Sequence, residues 1–530
     1  MADELKDTIL ENAQGPAKAS GDAGSIEQHK LTDQIEADRY LASKQTVLSW
    51  ISNWWSSKNS PLQSRNIARV VRARYDAAVT TDDNRRHWAN ADGLSPNASN
   101  SAEVRRILRN RARYETANNS YARGIVLTLA HDVVGTGPRL QMLTADSEAN
   151  RRIEHAFMMW AKAVNLAEKL RTMRMARATD GEAFAVLVNN PRLSTQVQLD
   201  LRLIEADQVT TPDLDRLSTS AVDGIVFDAA GNPIEYHVLR SHPGDGYYWG
   251  RSDYEQIPAS SVLHWFRADR PGQTRGIPDI MPALPLFAQL RRFTLAVLAA
   301  AETAADFAGI LYTDAPANGE ADAAEPFEPI ELEKRALVTM PGGWKMAQMQ
   351  AEQPSTTYAE FKRELLNEIA RCLSMPYNFA ACNSSSYNYA SGRLDGQIYF
   401  KAIRVEQSHL ERIILDRILS AWLDEASLIP DLLPTGLGPF AQWPHQWFWD
   451  GHEHVDPAKE ANAQATRLAS HTTTLADEYA KRGQDWEVQL RQRAREIALM
   501  SELGLAAEQV SQTPIQDPQD VQDDEVPIDD

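Results

Sequence analysis

The sequence predicts an α+β protein built from several units, and three observations carry that expectation. From Gly272 to Phe307 the chain reads GQTRGIPDIMPALPLFAQLRRFTLAVLAAAETAADF, and Leu286, Leu290, Phe293, Val297, Ala300, Ala304 and Phe307 fall on one helical stripe. Between residues 180 and 268, short apolar runs alternate with turn residues, the pattern of strands and hairpins. After a loop-rich interval, Tyr358–Leu373 and Arg393–Ala426 return as amphipathic helices. At 530 residues the chain exceeds one hydrophobic core and predicts roughly two to four domains.

Composition narrows the function classes. The formal net charge of −19 argues against a general nucleic-acid binder, whose affinity comes from Lys and Arg on phosphates. No apolar run reads as long enough to span a bilayer; the nearest, Leu295–Ala301, is flanked by Arg and Glu. The acidic N-terminus lacks a signal-peptide pattern, so synthesis in the cytosol is expected. Cys372 and Cys382 are too few for a disulfide framework, and buried reduced thiols are expected.

In chain order, residues 1–40 are polar and charged and predict a flexible arm. The aromatic cluster Val47–Trp55 suits docking onto the protein body or a neighbour better than a membrane-surface helix. An arginine-rich segment follows, with Arg65, Arg69, Arg72, Arg74, Arg85, Arg86, Arg105, Arg106, Arg109, Arg111 and Arg113. Such a segment can contact phosphates or pair with Asp and Glu of adjacent elements. Val70, Val71, Ile107 and Leu108, interleaved at core spacing, favour pairing. Residues 110–142 predict a helix, a turn and a strand, and 147–178 one or two helices. Asp180–Val188 reads as a turn into a buried strand, Val197–Val209 as a second, Ile225–Leu239 as a hairpin around Gly231-Asn232, and Ser261–Ala268 as another strand. Asp180, Glu182 and Glu205 could serve as catalytic carboxylates, but without a partnered base or nucleophile, turn and strand-end roles are expected.

Pro282 and Pro285 place the start of the long regular helix near them, with Arg291, Arg292, Glu302 and Asp306 opposite its apolar stripe. Gly309–Tyr312 predicts a short strand, 314–329 an acidic loop, and Ala336–Met349 strand, Pro-Gly-Gly turn, strand. Tyr358–Leu373 ends at Ser374-Met375-Pro376, and a polar segment, Asn383–Ser391, leads into the helix Arg393–Ala426. His445, Asp450, His452, His454 and Asp456 form the one dense group of metal-ligand types, without the spacing of a helix-based metal motif. Ala458–His471 and Trp486–Ser501 predict helices, and Gln512–Asp530 an acidic, disordered tail.

Several spaced elements together resemble the portal proteins of tailed bacteriophages, the lambda-like portal family. They are Arg111 to Arg113, Asn118-Asn119, Val133-Val134-Gly135-Thr136-Gly137, Gly272-Gln273-Thr274-Arg275-Gly276, Ser384 to Arg393, and the Asp456-Pro457-Ala458-Lys459-Glu460 stretch after the tryptophans. The resemblance runs from about Arg65 to Leu503. It implies a portal fold: an α/β wing, long stem helices, a small β-containing clip and a helical crown. It divides the chain into a flexible arm (1–60), wing (61–271), stem helix (272–307), clip (308–356), second stem helix (357–382), tunnel loop (383–392), long helix and wing return (393–455), crown (456–508) and tail (509–530).

The function so implied is a ring, dodecameric in the family, at one capsid vertex: a channel for double-stranded DNA packaging and ejection. Implied partners are further copies of the chain, the terminase large subunit, the major capsid protein and head-completion or adaptor proteins. DNA would pass without sequence specificity, no membrane is involved, and the protein would reside in the virion after assembly in the host cytoplasm. Implied DNA-facing residues are Ser384, Ser385, Ser386, Tyr387, Asn388, Tyr389 and Arg393. Arg291, Arg292, Phe293 and Glu302 belong to the stem, and Asp314, Glu320, Asp322 and Trp344 to a docking surface on the clip. No catalytic residue, metal or cofactor is expected. The rivals are another capsid structural protein, a packaging ATPase, or a metal-dependent hydrolase using the His445–His454 group. The ATPase requires a Gly-Lys phosphate loop, and the chain contains no Gly-Lys pair; a G-x-S-x-G elbow is missing too.

Overall fold

The computed structural model describes residues 18–21, 24–27, 78–211, 221–245, 253–306, 310–313, 344–347, 357–385, 387–433, 443–451 and 457–505. The chain divides into two compact units, Met1–Asp92 and Gly93–Asp530. In the first, β1 (Lys18–Gly21) pairs antiparallel with β2 (Gly24–Glu27), so a hairpin lies where a flexible arm was expected.

After a single helical turn at Pro96–Ser99, the second unit continues with two helices, α1 (Ala102–Asn118) and α2 (Ser120–Val134), where the sequence suggested one. Asn119 makes the break: its backbone is extended, and its side chain accepts hydrogen bonds from the amides of Tyr121 and Ala122. Then come β3 (Arg139–Met142), α3 (Ser147–Ala163) and α4 (Leu166–Asp180). Asn165 separates α3 from α4 in a left-handed conformation, φ 52°.

Strands β4 (Glu182–Asn189), β5 (Leu199–Ile204) and β10 (Val262–Phe266) form an antiparallel sheet with β4 central. Val186 faces Val262, and Leu187 faces Leu201. A second antiparallel sheet runs β6 (Ala221–Val222), β7 (Ile225–Phe227), β8 (Pro233–Leu239), β9 (Tyr254–Pro258), and contains the expected hairpin. Phe184, Val186, Tyr236 and Val262 join the two sheets in one apolar cluster.

The long helix is α5 (Leu284–Asp306). Behind it, β11 (Ile310–Thr313) pairs antiparallel with β12 (Trp344–Ala347). The strand expected before Pro341 lies outside the described residues. Next are α6 (Thr357–Arg371), α7 (Tyr389–Leu410), a π-turn at Glu411–Leu415 and α8 (Asp416–Ala426). Strand β13 (His445–Phe448) returns to pair with β3. The C-terminal helices are α9 (Pro457–Ala469), α10 (Leu475–Ala480) and α11 (Trp486–Glu502).

The main core gathers α2, α3, α4, α7 and α8. Phe157 stands 5.1 Å from Trp160, 5.5 Å from Trp422 and 5.7 Å from Trp447, ring to ring. Trp160 is buried, and its indole N–H donates to the Leu199 carbonyl at 2.7 Å. These aromatics tie α3 to α8 and to the returning strand β13.

Two expectations fail on burial. Ile107 is exposed while Arg105 and Arg109, on the same helix, are buried, so α1 turns a charged face inward. Cys382 is exposed, and Cys372 is half-buried. In addition, Met281–Glu302 meets the length and composition of a membrane span, which the shorter run counted in the sequence missed. Arg291 and Arg292 lie midway along it, where a bilayer would charge roughly 3 kcal/mol for each.

Candidate channel site and the charge network that holds it

The Gly272–Gly276 turn, which delivers the chain to α5, is built residue by residue. Gly272 sits at φ 80°. The Gln273 side chain accepts from the amides of Asp269 and Arg270 and donates to the Arg275 carbonyl at 2.9 Å. Thr274 donates through its amide and its hydroxyl to Asn97 Oδ1. Gly276 passes so close to the Gly181 carbonyl that a Cβ would collide with it.

Arg275 is fully buried and grips Glu182, which is 0% exposed. Its Nε lies 2.9 and 3.0 Å from the two carboxylate oxygens, and its Nη2 lies 2.7 Å from Oε1. The other end of the guanidinium donates to the carbonyls of Val209 and Asp223. Glu182 also accepts from the Gly276 amide at 3.1 Å and from His264 Nε2 at 3.1 Å. Burial alone would raise the Glu182 carboxyl; Arg275 and the hydrogen bond from His264 outweigh it and hold it well below its ordinary range. Burial pushes His264 the other way, below its usual value, so it acts as a neutral donor.

Helix α1 extends this network. Arg105 pairs with Asp223, Arg109 with Asp207 at 2.7 Å, and Arg113 with Asp180 at 2.7 Å and Asp207 at 2.8 Å. Arg105, Arg106, Arg109 and Arg113 pair within the protein, as the apolar interleaving favoured, though the burial of Arg105 and Arg109 reverses the expected face. Arg65, Arg69, Arg72 and Arg74 lie outside the described residues. Asp180, Glu182 and Glu205 are therefore ion-pair members. A second buried group lies beneath it: Arg174 reaches Asp279 at 3.1 Å and Glu406 at 2.5 Å, and Arg177 reaches Glu406 at 2.9 Å. It locks α4 to the approach of α5 and to α7.

On that base stand α5 and α6. Phe287 and Leu290 are buried, while Leu295 and Leu298 are more than half exposed. Phe293 stacks on Tyr358 at 5.5 Å and meets Phe361 edge-on at 4.9 Å, joining α5 to α6. Arg291, expected on the free side, lies over the Tyr114 ring of α1 at 5.8 Å. Arg292 and Glu302 are exposed.

The polar segment after α6 is a set of tight turns. Ser385 donates its amide to Asn383 Oδ1, and Tyr387 donates to the Ser384 carbonyl. Asn388 caps α7 by accepting from the Ser391 amide at 2.8 Å. This cap starts the helix at Tyr389, four residues before the expected start at Arg393. Ser384, Ser385, Asn388 and Arg393 are exposed, and Tyr387 is half-buried. Ser386 lies outside the described residues, as do Asp314, Glu320 and Asp322. Trp344 begins β12, opposite Thr313.

The histidine group does not assemble from the members described. His445 Nε2 lies 3.2 Å from Asp416 on α8, and its Nδ1 lies 3.0 Å from the Trp443 carbonyl. Asp450 instead accepts from the Thr136 amide and hydroxyl. His452, His454 and Asp456 lie outside the described residues. A different trio, Glu205, Asp207 and His242, brings ligand atoms within 4.8 Å of one another. Arg113 already supplies a cation there, 3.3 Å from Glu205 and 2.8 Å from Asp207. His242 and this trio had no signal in the sequence.

The family model described as phage portal protein, lambda family, matches residues 82–407. The chain belongs to that family. It is a portal protein, and its function is that of the portal ring at a capsid vertex. A probable portal protein of Halomonas phage phiHAP-1 is 27% identical, over 75% of this chain and 81% of that protein. Portal protein B of Escherichia phage lambda is 21% identical, over 73% and 83%. Among solved structures, a chain in the neck of an empty GTA particle aligns with a TM-score of 0.44 and 14% identity, over 70% of this portal and 92% of that chain. The family is structural, and the buried carboxylates of this portal tie α1, α4, β4 and the Gly272–Gly276 turn together.

Proposed function

We propose that the chain closes into a dodecameric ring whose axial channel passes double-stranded DNA, with α5 and α6 as the stem wall. The family match across residues 82–407 carries this reading. The turn Asn383–Asn388 and the first turn of α7 face the DNA, with Arg393 just behind them. Their hydroxyl and amide groups hydrogen-bond without a strong charge grip, which suits a sliding duplex. Strands β11 and β12, with the acidic stretch of sequence between them, form the clip that docks the terminase large subunit and later the head-completion proteins. The major capsid protein surrounds the ring. The portal has no catalytic role, since translocation energy comes from the terminase, and it assembles in the host cytoplasm.

The test combines Y387A, N388S and Y389A, the serine preserving the helix cap. Ring assembly should stay intact while genome packaging or retention falls. Full-length packaging with normal retention would remove the DNA-facing assignment.

A further inference from the structure

One face of α7 has no partner among the described residues. Leu394, Ile398 and Val405 are 58%, 59% and 67% exposed. With Lys401 they follow helical spacing along one stripe. Arg393, Lys401, Arg404 and Arg412 are exposed along it, and the nearest carboxylate, Glu411, is half-buried and accepts from the Trp449 indole. In a chain of net charge −19 this is an unusual concentration of positive charge.

Helix α6 presents the converse. Glu360, Glu364 and Glu368 recur every four residues and are exposed, beside Phe361 at 51% exposure, with one exposed cation, Arg371, at the end of the same stripe. Glu364 meets Arg363 at 3.4 Å, but Glu360, Glu368, Arg393 and Lys401 have no ion pair among the described residues. Arg393 and Lys401 are eight residues apart, as are Glu360 and Glu368, so both charge pairs span about 12 Å of helix.

We propose that the basic, apolar face of α7 packs against the acidic face of α6 on the next copy of the chain. This rests on the ring reading and names the surfaces that close it. The two faces differ, so the contact is heterologous, the type that generates rings. A second copy fits better than DNA, because Leu394, Ile398 and Val405 occupy the stripe and gain nothing against phosphates. Across a protein interface they form the apolar centre and the charges form the rim.

The experiment uses full-length protein in three charge-reversed forms: R393E/K401E, E360K/E368K, and all four changes together. Native mass spectrometry reads the ring fraction, and thermal melting verifies folding. Each double variant should lower the ring fraction by at least about tenfold, since like charges now face each other, and the fourfold variant should recover it. Wild-type assembly by either double variant overturns the proposal, as does failure of the fourfold variant to recover. Normal rings from R393E/K401E with lost packaging would assign the face to DNA instead. If the unaltered protein forms no ring, the ring reading fails first, and that outcome is visible before any variant is compared.

Discussion

Replacing Arg275 by Met tests the buried charge network where it is most concentrated. The guanidinium makes three contacts of 3.0 Å or less to Glu182 and ties down the Val209 and Asp223 carbonyls. Without it, Glu182 remains fully buried with the Gly276 amide, His264, and Arg109 Nη1 at 3.7 Å. Removing one partner of a buried pair costs roughly 3–5 kcal/mol, because the other charge is left uncompensated. The double variant E182L/R275M removes both charges, so it should cost much less, on the order of 1–2 kcal/mol. Urea unfolding followed by tryptophan fluorescence would read this, since Trp265 neighbours His264 on β10. Hydrogen exchange at the Gly276 amide gives the local signal. If R275M alone costs under about 1 kcal/mol, or if the double variant costs as much as the single, the network does not hold these elements together as argued.

Gly276→Ala would drive a Cβ into the Gly181 carbonyl, and backbone on both sides cannot yield cheaply. It should destabilise by roughly 1–3 kcal/mol, seen as a lower thermal midpoint. Glu154 lies in a groove of about 750 Å3 between α3 and the start of α11. Burial, with Asp485 and Glu487 nearby, raises its carboxyl to about 7, against the Met142 amide that lowers it. A raised carboxyl stabilises the fold fully below its unfolded value and loses that contribution as pH climbs to about 7. The midpoint should therefore fall across this window, and E154Q should flatten the decline.

The helical stripe of α5, the strand β4 and the hairpin around Gly231 were legible because local periodicity and turn chemistry decide them. The burial of α1 was not, since Arg105 and Arg109 look solvent-facing until Asp223 and Asp207 arrive from far along the chain. The same holds for Glu182, whose partner lies at Arg275; the compact Gly-Gln-Thr-Arg-Gly motif was the one signal pointing there. The break at Asn119 was readable as a cap. The early start of α7 followed from Asn388, which the polar run around it disguised as loop. The turn around Asn383–Asn388 was visible only as polar sequence with helices on either side. The partners of His445 and Asp450 come from α8 and from the end of α2, beyond any local pattern.

Native mass spectrometry of the purified protein, with electron-microscope class averages, tests the central claim most directly. The account predicts a closed ring of about a dozen copies with an axial hole. A stable monomer or dimer carrying bound metal would contradict it and return the histidine group to consideration.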